Sequence, residues 1–583
     1  MTYSHPMWMF ALMLPRTITG EPYYGTIVLQ LILSGLAVMI MVRAQTHLAV
    51  TALAMLGMAC SRSFSDFSTS GLENPLSHLL IAWLLFRSAQ ANVETTKPRG
   101  IACITAMIML TRHDLAPLVI PVLASALQGH NRAEWAKTMA LAVTPVLLWL
   151  LFATIYYGAP WPTTAYSKLF AVHAGESAML ARGLAYAADL ATYDTACFCV
   201  ILLALIVGGV WRVRGTLSVT LGCVLQVAYV VRVGGDFMSG RFFTPVFVAS
   251  LWILTQWLSK LAPSWRRRTA IYVAMVLVAG AFFRGVPAQF TPWRSPALRT
   301  VNGIADERAG YQAHLGLWSG SRPPLQPGVF APLLGAVRGH AVAYTETAGW
   351  IGLLGGPTLH IIDPYICDPL LTRLPAILDA GFRPGHYRRR IPEGLLESLA
   401  HGDNRIDDPR LRKYYDSIRL LSRGPILSVA RLQTAAGLML GRVPPEFADY
   451  LTSDYLRPPM RQRALRDFPV EPRMDLPWFA SDAILIYDGG LRINCAPSAG
   501  ANRLELALQS DDEYEIAVYD GSVLRMQRIS PPPHPVTDLA TAFLATFSWR
   551  TIDTTGQTFD HIIIRTRASI DHVGAVLAVN VAR

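Results

Sequence analysis

The sequence predicts a polytopic α-helical membrane protein whose second half is water-soluble, built from a small α/β region and a terminal β-sandwich. Three observations predict it. Of the 583 residues, 52% are hydrophobic and only 16% charged, whereas a soluble domain carries roughly a quarter charged residues. The apolar content is dense up to about Arg284 and ordinary beyond it, with an overall mean hydropathy of +0.33. Basic residues collect in alternate short loops between apolar runs. The net charge of +11 is therefore a topology signal and not a nucleic-acid surface.

In chain order, Met7 to Leu14 is apolar but too short to span a bilayer, which takes about 20 residues. Between Pro6 and Pro15 it reads as a helix lying at the interface. Met1 to Pro6 lacks the basic n-region of a signal peptide. Tyr23 to Val42 is a full span. Further apolar runs follow at 46–61, 76–88, 99–111, 115–127, 138–157, 195–211, 215–232, 243–258 and 269–284, so the expectation is ten membrane segments. Cys60, Cys103, Cys197, Cys199 and Cys223 lie in or beside these runs and read as small buried hydrophobes. Cys367 and Cys495 fall in the soluble half, where a pairing is open.

The soluble half divides at proline-rich punctuation: Pro458-Pro459, Pro469, Pro472 and Pro477. Domains are expected at 1–284, 285–470 and 471–583. In the middle region, 340–344 and 359–363 read as strands, Leu370 to Ala380 and Gly394 to Ala400 as helices, and Trp350 to Gly355 as a helix or turn. The run Arg388-Arg389-Arg390 reads as a solvated face. In the last region, short strands are expected at 483–487, 503–508, 515–519, 524–529, 561–566 and 575–581. Asp488-Gly489 and Asp520-Gly521 are turn signals between them, which suits a β-sandwich.

The stretch Ser63 to Pro75 carries Asp66, Glu73, Asn74 and a string of hydroxyls between two membrane runs. Charge at that depth is costly unless it faces water or a polar cavity. Twelve basic residues mark one side of the membrane: Arg43; Arg87, Lys97 and Arg99; Arg132 and Lys137; Arg212 and Arg214; Lys260 and Arg266 to Arg268. The remaining loops then share the opposite face with the soluble half. They hold Asp66 and Glu73, Arg112-His113-Asp114, Trp161 to Lys168, and Gly234 to Arg241.

Cations and carboxylates gathered at a membrane surface suit group transfer from a lipid-linked donor. The leaving phosphate needs Arg or Lys, and the acceptor hydroxyl needs a carboxylate to take its proton. Arg112, Lys168 and Arg241 can bind phosphate. Asp66, Glu73, Asp114 and Asp236 supply carboxylates, and Trp161 and Tyr166 offer flat faces to a sugar ring. Plainer readings stand beside these. Lys168 can anchor at the interface, Arg241 can pair with Asp236, and Arg112-His113-Asp114 can be a salt-bridged helix join. No metal cage, glycine-rich nucleotide loop, HExxH or GxSxG motif is present, so no cofactor is identified.

Five motifs in order resemble a family of integral-membrane glycosyltransferases: Ser-Gly-Leu-Glu-Asn-Pro at 70–75, Thr-Arg-His-Asp at 111–114, Thr-Ala-Tyr-Ser-Lys-Leu at 164–169, Gly-Gly-Asp-Phe-Met-Ser-Gly-Arg at 234–241 and Asp-Pro-Leu-Leu-Thr-Arg-Leu-Pro at 368–375. The family includes mycobacterial terminal β-(1→2)-arabinofuranosyltransferases and Gram-negative enzymes that decorate pilin. The resemblance runs from about Tyr3 to about Leu427 and is weak over the β region. It implies a type C glycosyltransferase of the bacterial inner membrane, its C-terminal domain in the periplasm. It also implies a polyprenyl-phosphoryl arabinofuranose donor and a cell-envelope glycan or pilin-like acceptor, with the terminal sandwich as a carbohydrate-binding module.

Carried over by residue, Asp66 and Glu73 line the catalytic site and Arg112, Lys168 and Arg241 lie near the donor phosphate. Asn74, His113, Asp114, Trp161 and Tyr166 complete the lining, and Asp236 orients Arg241. Family members place a first span and an acidic outward loop ahead of a stretch like Tyr3 to Trp8. The resemblance thus implies that these precede Met1, and that the 583 residues alone transfer poorly. Open alternatives are another polyprenyl-linked sugar such as mannose, a catalytically dead scaffold, or a transporter of lipid-linked glycan. A transporter would place its polar residues at a midplane site.

Overall fold

The computed structural model describes residues 4–91, 98–167, 175–211, 215–283, 300–301, 303–317, 342–344, 348–363, 365, 368–377, 385–387, 389–495, 501–533, 546–568 and 574–582. The apolar runs of the first half form helices α1 (Pro6–Thr19), α2 (Tyr23–Arg43), α3 (Leu48–Cys60), α4 (Arg62–Phe67), α5 (Asn74–Ala91), α6 (Arg99–Thr111), α7 (Ala116–Ala126) and α8 (Arg132–Tyr157). After the single turn α9 (Thr163–Ala165) come α10 (Glu176–Tyr193), α11 (Thr195–Trp211), α12 (Leu217–Arg232), α13 (Thr244–Lys260) and α14 (Pro263–Phe282). The core runs along α13, which is buried without a break from Thr244 to Thr255. Gly222 of α12 lets the Leu118 carbonyl of α7 approach to where a Cβ would lie only 2.2 Å away.

Among the described residues, three helices are long and apolar enough to cross a membrane: α2, α8 and the unit Arg241–Lys260 that contains α13. Helices α10 and α11 pass only as a pair and are bent by 115° where they meet. Helices α3, α6 and α12 have 13, 13 and 16 residues, short of a full straight span. Helix α10 stands where a loop is expected from the sequence. It is amphipathic, burying Gly183, Tyr186 and Leu190 at helical spacing, so it makes no continuous apolar run. Its ends meet Arg232, 3.5 Å from Glu176, and Asp66, which accepts the Tyr193 hydroxyl at 2.7 Å. Both ends of α10 therefore lie at the same end of the bundle.

That same end collects the polar loops expected to share a face. Glu73 meets Arg112 and Arg241, Ser61 donates to Asp194 at 2.7 Å, and Asn74 donates to Thr244 at 3.0 Å. The opposite end holds Arg99 paired with Glu134 at 3.0 Å and Arg266 donating to the Leu258 and Leu261 carbonyls.

In the second half, strands β1 (Thr300–Val301) and β2 (Ile304–Ala305) form a short hairpin followed by α15 (Glu307–Leu315). Strands β3 (Val342–Tyr344) and β4 (His360–Ile362) pair in parallel across the helix Ala348–Gly355. The helix expected over Leu370–Ala380 is instead one 3-10 turn, Leu371–Arg373. Pro375 explains the stop: the residue before it, Leu374, is extended at φ −82°, ψ 149° because proline disfavours the helical region there. Residues 378–384 lie outside the described residues, as does Cys367. Cys495 is half-buried with a free thiol.

The terminal region is a sandwich of two sheets. One has the order β10-β9-β12-β7-β5, from Val523–Ser530, Glu513–Asp520, His561–Ala568, Leu491–Asn494 and Arg461–Ala464. The other has the order β11-β8-β13-β6, from Phe547–Asp553, Arg503–Gln509, Gly574–Ala582 and Ile484–Ile486. Leu504, Leu506, Leu508, Ile516, Ile562 and Val576 fill the space between. The six strands read from the sequence are present, and β5, β7 and β11 are additional. Strand β5, Arg-Gln-Arg-Ala, has no apolar alternation, so only its parallel pairing with β7 reveals it. It places the first sheet residue at Arg461, inside the region 285–470 expected to precede the sandwich.

Two buried arginines join the halves through main-chain carbonyls. Arg431 donates to the carbonyls of Ile155 and Tyr156 (2.8 Å) in the last turn of α8, and to Leu421 and Ile426. Those α8 carbonyls have no partner further along the helix. Arg389 donates to Leu374 (3.1 Å), Tyr365, Tyr387 and Ser167 (each 3.0 Å). The expectation of a solvated basic face at 388–390 is thus corrected. Arg389 is buried, Arg390 pairs with Asp488 and donates to the Tyr455 carbonyl, and Arg388 lies outside the described residues. A guanidinium has five donors, enough to satisfy carbonyls from several segments at once.

Arg389→Met should cost roughly 2–4 kcal/mol, since it strands several buried carbonyls at about 1–3 kcal/mol for an unsatisfied group. The midpoint of thermal or denaturant unfolding checks it. A change within about 0.5 kcal/mol, the range of ordinary surface substitutions, would return Arg389 to the solvated face.

Candidate functional site

The site is built on two glycine-turned loops. At 70–75, Gly71 sits at φ +84°, and Gln30 of α2 clasps the turn. It donates to the Leu72 carbonyl at 2.7 Å and accepts from the Gly71 N–H at 2.9 Å. Trp8 of α1 adds a bond to the Gly71 carbonyl at 3.1 Å. The turn aims Glu73 inward just before α5 begins. At 234–241, Gly234, Gly235 and Gly240 all have positive φ. A Cβ on Gly240 would lie 2.1 Å from the Ser63 hydroxyl, so only glycine fits. The Tyr186 hydroxyl donates to the Met238 carbonyl at 2.9 Å and accepts from the Phe242 N–H at 3.1 Å, fixing the loop from within.

These loops bring together charges far apart in sequence. Glu73, 2% exposed, accepts from Arg241 Nη2 at 2.9 and 3.2 Å. It also stands 3.4 Å from His5 Nε2 and 3.7 Å from Arg112 Nη1. Arg241 reaches Asp236 at 3.4 Å. Arg112, 1% exposed, forks onto Asp114, its Nε at 3.0 Å. Both guanidiniums lie over the Phe242 ring, at 4.9 Å for Arg112 and 5.8 Å for Arg241, a cation–π arrangement. Asn74 donates to Thr244, which also bonds the buried His78 at 2.9 Å. Burial pushes the Glu73 carboxyl up, but Arg241, His5 and Arg112 outweigh it and hold Glu73 well below the usual carboxylate range.

The plainer readings of two motifs hold as geometry: Arg241 pairs with Asp236, and Arg112-His113-Asp114 is a salt-bridged join between α6 and α7. Two donors remain unused. Arg112 Nη1 and Arg241 Nε have no hydrogen-bond acceptor among the described residues. The cluster holds two arginines and His5 against Glu73, Asp114 and Asp236, so it has no positive charge to spare.

Asp66 stands apart from Glu73. Arg62 (3.3 Å) and Arg308 pair with it and Tyr193 donates to it, while Arg62 also pairs with Asp306. The two carboxylates named together from the sequence thus serve different networks. Through Arg308 and Asp306, α15 of the second half holds α4. The Ala305 N–H donates to the Phe237 carbonyl at 2.7 Å and its carbonyl accepts from the Ser239 N–H at 3.0 Å, so the same segment also holds the second glycine loop. His113 stacks edge-on against the exposed Trp161 at 6.3 Å. Tyr166 lies under the Arg373 guanidinium at 5.3 Å. Lys168 lies outside the described residues. No group of three or more His, Cys, Asp or Glu able to hold a metal occurs among the described residues.

His5, Arg62, Asp306, Arg308 and Phe242 have no assigned role in the sequence reading. His5, Asp306 and Arg308 act through contacts distant in the chain, where local pattern carries no signal, whereas Arg62 also pairs with Asp66 at i,i+4 spacing, which is visible in the sequence.

The described residues thus make an apolar helical bundle with a buried charge cluster at one end, covered by a second half that ends in a β-sandwich. No protein-family model matches the chain, and no curated protein matches it. Among solved structures it is similar to the single-particle cryo-EM structure of the arabinofuranosyltransferase AftD from Mycobacteria, at a TM-score of 0.32 and 11% identity. The alignment covers 98% of this chain and 53% of that one, so the chain spans about half the length of that structure.

Glu73→Gln should destabilise the fold by roughly 3–5 kcal/mol, because it leaves two buried guanidiniums undercompensated. The pH dependence has a definite sign. A carboxyl held below its unfolded value near 4.5 contributes stability fully above that value and loses it as pH falls through the folded value. Unfolding midpoints between pH 7 and pH 3 should fall on the acid side for the wild type and fall less for Glu73→Gln. Parallel curves for the two would remove Glu73 as the titrating group.

Proposed function

We propose that this chain transfers a sugar from a polyprenyl-phosphate donor to a cell-envelope acceptor, at the membrane face from which the charge cluster opens. The observation that carries the proposal is the convergence of three separate loops. Glu73, Arg112, Asp114, Asp236 and Arg241 meet at one end of the bundle, and the five-motif resemblance assigns those loops to a lipid-linked-sugar transferase. D-arabinofuranose is the sugar that resemblance favours. The bundle is read as the polytopic membrane domain of such an enzyme, with the second half on the periplasmic side of a bacterial inner membrane.

In the reaction, the acceptor hydroxyl oxygen bonds to the anomeric carbon. The bond from that carbon to the phosphate oxygen breaks, and polyprenyl phosphate leaves with the electron pair. The hydroxyl proton passes to a carboxylate. Asp114, the carboxylate of the cluster most open to solvent at 24% exposure, is the candidate acceptor of that proton. Glu73 and Asp236 hold Arg241 in place, and the unused N–H groups of Arg112 and Arg241 are offered to the phosphate. The cluster has no excess positive charge to meet an incoming anion, so another cation has to be recruited. Lys168, which the resemblance assigns to the donor phosphate and which follows Ser167 in the sequence, is the candidate.

The test uses membranes containing this chain, radiolabelled polyprenyl-phosphoryl arabinofuranose and cell-envelope glycan or pilin acceptor. Labelled acceptor is the expected product. Lys168→Met should weaken donor binding about tenfold or more, the loss of a charge-assisted contact, with the unfolding midpoint unchanged. Asp114→Asn should lower turnover roughly a hundredfold or more. Lipid movement without labelled acceptor would identify a transporter, and neither activity would identify a scaffold. Unaltered donor affinity in Lys168→Met would remove the phosphate role.

A further inference from the structure

The segment 424–445 of the second half combines exposed apolar side chains with closeness to the end of a membrane helix. Its helix Val429–Met439 is capped by the Ser428 side chain, which accepts from the Arg431 N–H. One face of that helix, through Arg431 and Ala435, turns into the protein. Large apolar side chains stand open at the two ends of the helix: Leu427 (76%) and Val429 (69%) at the start, Met439 and Leu440 (70%) at the finish, with Ile426 and Val443 at the flanks. Such a concentration on a water-soluble surface marks an interaction site. No Asp or Glu occurs from Ser417 to Pro445, whereas Arg423 and Arg442 are both exposed at the ends of the patch.

The location identifies what covers the patch. Arg431, inside the helix, donates to the carbonyls of Ile155 and Tyr156, so the helix sits at the level where α8 ends. Leu421, just before the segment, is placed so that a Cβ on Gly158, the α8 cap, would lie 3.0 Å from it. Helix α8 is one of the three long enough to cross a membrane, only 22% of its apolar window is buried, and Leu147, Leu148, Leu151, Phe152 and Tyr156 are exposed along it. The patch therefore continues the lipid-facing surface of α8 past the end of the span.

We infer that the segment around Val429–Met439 is a membrane-interface helix whose exposed apolar side chains lie in the headgroup and upper acyl region of the leaflet beside the outer end of α8. An amphipathic helix of this kind buries its apolar face about 5–10 Å into that region. Arg423 and Arg442 face the headgroups there, where anionic lipid attracts them. The helix anchors the second half to the bilayer next to the Arg431 clamp and so holds it over the loops of the charge cluster. The inference rests on exposure and position alone and stands whichever sugar, if any, is transferred.

The experiment places an environment-sensitive fluorescent amino acid at Leu427, at Leu440 and, as a control, at the exposed Val523 of β10, in the full chain reconstituted into nanodiscs of phosphatidylethanolamine and phosphatidylglycerol. Folded protein is selected by an unfolding midpoint matching the unsubstituted chain. At Leu427 and Leu440 the emission should shift to the blue and be quenched at least twofold when lipids brominated in the upper acyl chain are used, with no change at Val523. Water-like emission and no quenching at Leu427 and Leu440 would overturn the inference. So would shielding from aqueous iodide without bromolipid quenching, because a second protein copy would then cover the patch.

Discussion

A carboxylate buried away from water must be paired, and Glu73 is paired from three directions. Taking an ion out of water costs several kcal/mol even after relaxation, and the partners return that only when geometry is tight. Glu73 has Arg241 from the second glycine loop, Arg112 from the α6–α7 join and His5 from ahead of α1. Each of these segments has to arrive at one point for the charge to be tolerable. The positive-φ glycines, the Gln30 clasp and the Trp8 bond to Gly71 follow from that demand, because each turns a loop end toward the cluster. The cluster is thus a folding constraint before it is a chemical site, and its neutralised arginines show the consequence. Charge that stabilises the loops is already spoken for, so a phosphate there needs the spare N–H groups and a further cation.

The second half reaches the bundle by a different device. Arg389 and Arg431 bind main-chain carbonyls, so they knit main chain to main chain. Arg431 takes over the unsatisfied end of α8, and Arg389 gathers Ser167, Tyr365, Leu374 and Tyr387. With Ala305 laid along the 237–239 backbone and Arg308 on Asp66, residues from three parts of the second half hold three loops of the first. Positions of the loop side chains are therefore set by both halves together. A change in the second half can alter the cluster without touching it.

Composition and periodicity carried much of the architecture. The drop in apolar density near Arg284, the alternating basic loops and the turn dipeptides at 488–489 and 520–521 are local signals. Bilayer thickness and strand pleating act locally too, so such signals map directly onto elements. Strands were legible where apolar residues were dense, as in β8, β9, β12 and β13. They were not legible in β5, whose Arg-Gln-Arg-Ala is polar and whose sheet neighbour among the described residues is β7. Helix α10 was hidden for the same kind of reason, since its apolar face is made by three residues spaced along an otherwise mixed run.

The sequence by itself determined that chemistry-bearing residues lie in the loops of one end of a helical bundle, because charge is excluded from apolar spans and must collect where they stop. It also determined that Arg241 and Asp236 sit within reach of each other, being five residues apart across a glycine turn. Only the tertiary structure decided that Glu73 joins Arg241 and Arg112 while Asp66 joins Arg308, although the two carboxylates are seven residues apart. Only it turned the basic triplet inward at Arg389. Pairing of a charge depends on which distant segment arrives beside it, and a basic residue reads the same in sequence whether water or four carbonyls receive its donors.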